Sequence, residues 1–315
     1  MNLTPCCSLP NAIALNAVLL LAGCASTPPV LETTAVTPPP ALTPSAAQPV
    51  LIPPPPKPII ALALGGGAAK GFAHIGVIKA LEAQGIVPDM VIGTSAGSVV
   101  GAMYAAGKNG FQLQELAIEF DKAVVTDWNW NPFSKGMLIG EKLAAFINTA
   151  VGGKTIEKMP RKLGVVATDL ASGEAIIFRT GDTGTAVRAS SSVPGVFQPV
   201  SIRQRSYVDG GLVAPVPVRF AREMGATFVI AVDISDKPVN GKTKDSFDTL
   251  MQTIAIMGHT INRHELPKAD VVIQPDISKL GSTDFDTRHR AVLEGEKAAD
   301  AKMAELKTKL AAFGK

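Results

Sequence analysis

The chain has 315 residues, of which 46% are hydrophobic, 18% charged and 5% aromatic. That composition supports a packed core and excludes an intrinsically disordered chain. The net charge of +3 (30 Lys and Arg against 27 Asp and Glu) is too mild for a charge-driven nucleic-acid binder, so no nucleic-acid partner is expected. All three cysteines, Cys6, Cys7 and Cys24, fall in the first 24 residues, which leaves the rest without a thiol for a disulfide, a cysteine metal site or a cysteine nucleophile.

Residues 1–23 read as a processing segment. Positions 12–21 form a short, mostly apolar run, the length of a signal-peptide core and too short to span a bilayer. It ends in Leu21-Ala22-Gly23-Cys24, which looks like the lipobox of bacterial lipoproteins, with Cys24 as the acylated residue. No Lys or Arg precedes Cys24, a departure from the usual positive start of such segments. Residues 24–58 then read as the lipidated cysteine and a tether. Twelve of the 24 prolines lie in 25–58, where only Glu32 and Lys57 are charged. Such a stretch cannot bury a core and extends as polyproline II, with a reach on the order of 100 Å at ~3.1 Å per residue. The lipobox resemblance, with Ala25 after the cysteine, implies a lipoprotein of the outer membrane facing the periplasm.

Residues 59–315 alternate strand and helix patterns. Strands are predicted at 59–64, 89–93, 163–167, 175–178, 206–208, 228–233 and 270–273. Helices are predicted at 71–84, 96–106, 138–151, 216–224, 247–262 and 287–313. Continuous apolar strands alternating with helices predict an α/β fold with a mostly parallel central sheet covered by helices on both faces.

Three segments carry chemistry. Gly93-Thr94-Ser95-Ala96-Gly97 follows a predicted strand and opens a predicted helix, the context that a G-x-S-x-G nucleophile elbow requires. Glycines flank Ser95 because a strained, crowded turn leaves no room for side chains. The bland alternative is a glycine turn whose serine caps the helix. Gly65-Gly66-Gly67-Ala68-Ala69-Lys70-Gly71 also lies between strand and helix. A Walker loop fails because Gly71 follows Lys70, and a dinucleotide loop starting at Gly65 fails because position 70 is Lys. An oxyanion hole remains, with backbone N–H groups converging on developing charge, beside the alternative of a close-packed turn. Asp209-Gly210-Gly211 follows the predicted strand at 206–208 and taken alone is an ordinary turn signal.

Together, in this order, these segments resemble the patatin-like phospholipase family. Gly71-Phe72-Ala73-His74-Ile75-Gly76-Val77 is typical of the family's first helix, and the block from Arg188 through Pro194, Gly195 and Phe197 to Val200 looks like its segment before the aspartate. The resemblance covers roughly 59–235, within a catalytic domain expected over 59–315. It implies a three-layer α/β/α fold and a Ser–Asp dyad. Ser95 would be the nucleophile and Asp209 the proton acceptor, with Gly66, Gly67 and Ala68 forming the oxyanion hole and Gly65, Lys70 and Gly71 supporting the loop. With an ordinary carboxylate pKa near ~3.9, Asp209 is a weak base, so the dyad is expected to rely on a short hydrogen bond and on oxyanion stabilisation. Ala68 stands where the family has a glycine, and its role as a donor is conditional on ordinary backbone dihedrals there. Lys70 either meets an anionic headgroup or pins the loop by pairing.

The implied activity is lipid acyl hydrolysis of the phospholipase A or lysophospholipase type, on a phospholipid or other acyl-ester lipid, without cofactor or metal. A noncatalytic lipid- or partner-binding lipoprotein of the same fold stays open, as does an acyltransferase or thioesterase using the same serine. His259, His264 and His289 follow Asp209, so a Ser–Asp–His order is formally possible, while His74 reads as a packed helix residue. Trp128 and Trp130, in a polar loop, either meet lipid or fill the core.

Overall fold

The computed structural model describes residues 57–120, 127, 136–238, 243–281 and 286–313. Cys24, the proline-rich tether, Trp128 and Trp130 lie outside the described residues. In chain order the elements are β1 (Ile60–Leu64), α1 (Phe72–Ala83), β2 (Met90–Thr94), α2 (Ala96–Ala105), α3 (Gly110–Glu119), β3 (Gly136–Leu138) and α4 (Glu141–Ala150). There follow β4 (Lys162–Asp169), β5 (Ala175–Phe178), α5 (Thr183–Ser190), β6 (Gly195–Phe197), β7 (Val200–Ile202) and β8 (Arg205–Asp209). The last are α6 (Val218–Glu223), β9 (Phe228–Val232), α7 (Ser246–Glu265), β10 (Val271–Ile273) and α8 (Arg288–Ala312).

The main sheet runs β10-β9-β1-β2-β4-β8-β7, with β5 pairing on β4. The pairs β10–β9, β9–β1, β1–β2 and β2–β4 are parallel, and those beyond β4 are antiparallel. This is the expected α/β architecture, with β3 and β6 as a small separate parallel pair.

The period of two along the strands divides the core. Leu62, Leu64, Val91, Ile230 and Val232 face one side, under α1, α2 and α8. Ala61, Ala63, Met90, Ile92, Val229 and Ala231 face the other, under α6. Burying each large aliphatic side chain of this kind contributes about 1.5–3 kcal/mol, so a register slip in β1 or β9 would expose several at once. Helices α1 and α8 cross at Gly76 and Gly295, where a Cβ would overlap the Val292 or the Ala73 carbonyl.

The elements differ from expectation where local signals mislead. Leu138 lies in β3 rather than in a helix. Gly140 adopts φ 81°, which breaks the chain between them, and α4 starts at Glu141. The Asp127 carboxylate accepts from the Gly140 and Lys142 N–H groups at 2.7 and 3.1 Å, capping that helix from a distant point in the sequence. Helices α3 and α5 and strands β3, β6 and β7 were not expected from the sequence.

Candidate active site

The parallel strands carry their following loops to one edge of the sheet, β1 into the glycine-rich loop and β2 into Ser95. β8 runs antiparallel to β4 and ends in Asp209 opposite Ala167, one residue beyond the Val166 that pairs with Thr94, which brings Asp209 to the same edge. Ser95 has φ 52° and ψ −123°, a left-handed conformation that an L-residue adopts only under strain, and its side chain is half-buried. Crowding enforces the bend. A Cβ on Gly93 would overlap the Gly97 carbonyl, and one on Gly97 would overlap the Leu64 carbonyl.

Side chains given no role by the sequence reading hold the bend in place. The Ser95 N–H donates to Ser190 Oγ at 2.9 Å, and that hydroxyl donates onward to the Val166 carbonyl at 2.6 Å. Thr94 Oγ1 donates to the Ala214 carbonyl at 2.8 Å, tying the end of β2 to the chain just beyond Asp209. Ser190 sits within the run Ser190-Ser191-Ser192, and nothing in composition separates it from its neighbours.

Asp209 is buried, with 6% of its surface exposed. Its backbone is fixed on both sides. Its N–H donates to the Ser192 carbonyl at 2.9 Å, and its carbonyl accepts from Thr168 Oγ1 at 2.8 Å. Each glycine after it has its own reason. A Cβ on Gly210 would overlap the Val166 carbonyl, and Gly211 donates its N–H to Asp209 Oδ1 at 2.6 Å. Oδ2 is buried without a partner of hydrogen-bond geometry, and Ser95 is the side chain that interacts with this carboxylate. Burial pushes the Asp209 pKa up to about 6, while the Gly211 N–H and the Ser95 hydroxyl pull the other way. The expectation of an ordinary, weakly basic carboxylate is therefore corrected, because desolvation outweighs the Gly211 hydrogen bond and the Ser95 interaction.

The glycine loop lies over Ser95. A Cβ on Gly66 would come within 3.1 Å of Ser95 Cβ and 3.9 Å of its Oγ. One expectation about this loop is corrected. The Gly66 N–H, expected as an oxyanion donor, donates to the Pro215 carbonyl at 2.9 Å. Gly66 thus serves as the position of closest approach, and the expected donors that remain are Gly67 and Ala68. Ala68 does not have the ordinary dihedrals set as a condition and keeps instead the backbone of the glycine it replaces. Its φ of 49° is the conformation a glycine would take, at a cost of about 1–2 kcal/mol for an alanine.

Two side chains anchor the loop. Lys70 is buried and forms an ion pair with Asp236, beyond the end of β9, so of its two expected roles it performs the pairing one. His74 is fully buried in α1, and its Nε2–H donates to the Gly65 carbonyl at 2.8 Å. Burial lowers the His74 pKa to about 4, against the opposing influence of the Gly65 carbonyl and Asp233, so the ring is neutral at pH 7. His259 lies on α7 and lines a cavity beside Asp233 and Asn262, at the ends of β9 and β10.

An uncharacterized NTE family protein of Mycobacterium tuberculosis is 29% identical over 267 residues, covering 77% of this chain and 46% of the relative. Patatin-like phospholipase domain-containing protein 6 of Mus musculus is 32% identical over 232 residues, 71% of this chain and 16% of that protein. The chain thus spans about half the length of the mycobacterial relative and a smaller part of the mouse one. Among solved structures, VipD from Legionella pneumophila superposes with a TM-score of 0.53 at 14% identity, over 79% of this chain and 67% of that one, a likeness of fold. The patatin-like phospholipase family profile matches residues 62–222, more than half of the 315 residues, and the chain belongs to that family.

Proposed function

We propose that the protein is a lipid acyl hydrolase that cleaves carboxylic esters of the phospholipase A or lysophospholipase type through Ser95 and Asp209. The observation that carries this reading is a strained serine at a strand-to-helix bend, interacting with a buried carboxylate whose second oxygen has no other partner. Ser95 Oγ attacks the ester carbonyl carbon, and its proton passes to Asp209. The N–H groups of Gly67 and Ala68 receive the oxyanion, where loss of one such donor typically costs ~3 kcal/mol of transition-state stabilisation. Collapse of the intermediate breaks the ester C–O bond, and the leaving alcohol takes the proton from Asp209. Asp209 then deprotonates a water that attacks the acyl-enzyme carbonyl, and collapse of this second intermediate breaks the acyl–Ser95 bond, passes the proton from Asp209 to Ser95 Oγ and releases the fatty acid.

A pKa near 6 makes Asp209 a stronger base than an exposed aspartate, yet it remains largely ionised at pH 7. The test is labelling by a fluorophosphonate probe. Wild-type protein is expected to label and Ser95→Ala to stay unlabelled. A noncatalytic lipid binder of the same fold would label in neither form.

The Lys70–Asp236 pair fixes the far side of the oxyanion loop and acts by positioning. Asp236→Asn and Lys70→Met are each expected to lower kcat by roughly ten- to a hundred-fold, the scale on which a displacement of about 1 Å acts. Unchanged kcat in both variants would remove the pair from the mechanism.

The reading extends to a membrane tether, supported by Leu21-Ala22-Gly23-Cys24 and the proline-rich 25–58. With a lipid on Cys24, the domain would work on the outer membrane from the periplasmic side. Cys24→Ser is expected to move the protein from the membrane fraction to the soluble fraction, and an unaltered distribution would argue against the anchor.

A further inference from the structure

Helix α7 changes character along its length. Its buried positions, Gly258, Asn262 and Glu265, are spaced by four and three and define one face. That face continues toward the N-terminus through Ile254, Met251 and Phe247 at the same intervals. Burial does not continue with it. Asn262 and Glu265 are each 3% exposed, Ile254 and Met251 are half-buried, and the neighbouring Leu250 and Phe247 are 38% and 43% exposed. The first half of α7 therefore carries an apolar stripe that the described residues leave partly uncovered.

The surroundings of this stripe identify what covers it. Gly258 lies against the ring of Pro215, whose carbonyl holds the Gly66 N–H. The helix also packs on the Gly210–Leu212 turn that follows Asp209. Leu250 Cδ2 comes within 3.0 Å of the place a Cβ on Gly195 would take, in the strand reached just after Ser192, whose carbonyl accepts the Asp209 N–H. The uncovered stripe is thus continuous with the loops that carry the candidate catalytic groups. An ester whose carbonyl sits at Ser95 has an alkyl chain that must leave the site along apolar surface. The described charges at the start of the helix, Lys244 against Asp245 and Asp248, form no basic cluster of the kind that draws a protein to an anionic bilayer, so a single apolar chain suits the stripe better than a lipid surface.

We propose that the uncovered stripe of α7, formed by Phe247, Leu250, Met251 and Ile254, holds the acyl chain of the ester that reacts at Ser95. The inference rests on the hydrolase reading above and adds the element that sets chain-length preference. Short acyl groups do not reach the stripe, whereas longer ones bury their methylenes against Leu250 and Phe247.

The experiment compares p-nitrophenyl decanoate with p-nitrophenyl acetate, both below their aggregation limits. In Leu250→Ser and in Phe247→Ser the decanoate-to-acetate ratio of kcat/KM is expected to fall roughly tenfold or more, the scale of lost apolar contacts in a binding site. Ile256→Ser serves as the control. Ile256 is exposed on the same helix and, at about 100° per residue, stands roughly opposite Phe247, so its ratio should match wild type. Dansyl-undecanoic acid provides a readout that needs no turnover. It is expected to bind Ser95→Ala protein, and about tenfold more weakly when Leu250→Ser is added.

A ratio that does not move in the stripe variants, or that falls as far in Ile256→Ser, overturns the proposal. So does dye binding that is absent or indifferent to Leu250. A dimer that Leu250→Ser dissolves would give the stripe to a second copy of the chain and also overturn it. If wild-type protein hydrolyses neither ester while the dye binds in a Leu250-dependent way, the hydrolase reading fails and the acyl-chain site stands.

Discussion

Ser95→Ala is expected to lose ester turnover by at least about 10⁴-fold while folding like the wild type, the scale seen when a member of a serine-nucleophile constellation is removed. Asp209→Asn is expected to lose a comparable factor, because an amide cannot accept the serine proton. The two losses should not multiply in the double variant, since the groups act on one proton. The backbone supplies a second readout. Ser95 is held at φ 52° and ψ −123° by Ser190 and by the crowding around Gly93 and Gly97. A residue forced into such a conformation costs on the order of 1–3 kcal/mol. Ser95→Gly relieves that strain and gives back part of the gain as unfolded-chain entropy. It should therefore be inactive and about 1 kcal/mol more stable than Ser95→Ala in urea unfolding. Equal stability of the two variants would mean that the bend stores no strain, and residual turnover in Ser95→Ala would assign the nucleophile elsewhere.

The sequence made the centre of the sheet readable because its strands are nearly all apolar and short. β1, β2 and β9 are five-residue, mostly apolar runs buried on both faces, and between turn signals their length suits a strand and is too short for a helix. The elbow was readable for a related reason, since Gly93 and Gly97 mark a close approach that their neighbours cannot permit. Helix α5, Thr183–Ser190, was not readable. Its sequence is rich in Thr, Gly and Ser, and it is helical because Asp182 caps it and because Ala186, Val187 and Ala189 pack into the core. Helix α3 was hidden by its start at Gly110 and by exposed Phe111 and Ile118, which blur the apolar stripe.

The site divides in the same way. Ser95, Asp209 and the glycine loop lie within recognisable motifs. Part of their support, Ser190, lies in the block before the aspartate, and the rest lies outside the motifs, in Thr168, Pro215 and Asp236, the last 166 residues from Lys70. The loss of Gly66 as a donor and the raised pKa of Asp209 were both invisible in sequence, because each depends on segments that only the fold brings together.

The burial of Asp209 and of His74 makes opposite predictions for stability against pH, and the difference can be measured. Asp209 has its folded pKa raised to about 6 from 3.8, so the folded state holds a proton that the unfolded state has released between those values. Its contribution therefore falls as pH rises through that window, by about 3 kcal/mol at ~1.4 kcal/mol per pH unit. His74 has its folded pKa lowered to about 4 from 6.5, so the unfolded state binds the extra proton. Its contribution is present above pH 6.5 and is lost as pH falls toward 4, by a similar amount.

Over pH 4 to 6.5 the two nearly cancel in the wild type. Asp209→Asn removes one side of the balance. Relative to wild type its unfolding free energy should rise by about 3 kcal/mol between pH 4 and pH 7, leaving an inactive protein that is the more stable of the two at neutral pH. Activity follows the same proton, because only the ionised carboxylate accepts from Ser95. The kcat/KM of the wild type is thus expected to drop about tenfold per pH unit below an apparent pKa near 6. A stability difference that stays flat with pH, together with an acid limb near 4, would mean that Asp209 is solvated as an ordinary aspartate. The buried, partnerless oxygen from which the dyad draws its basicity would then be absent in solution.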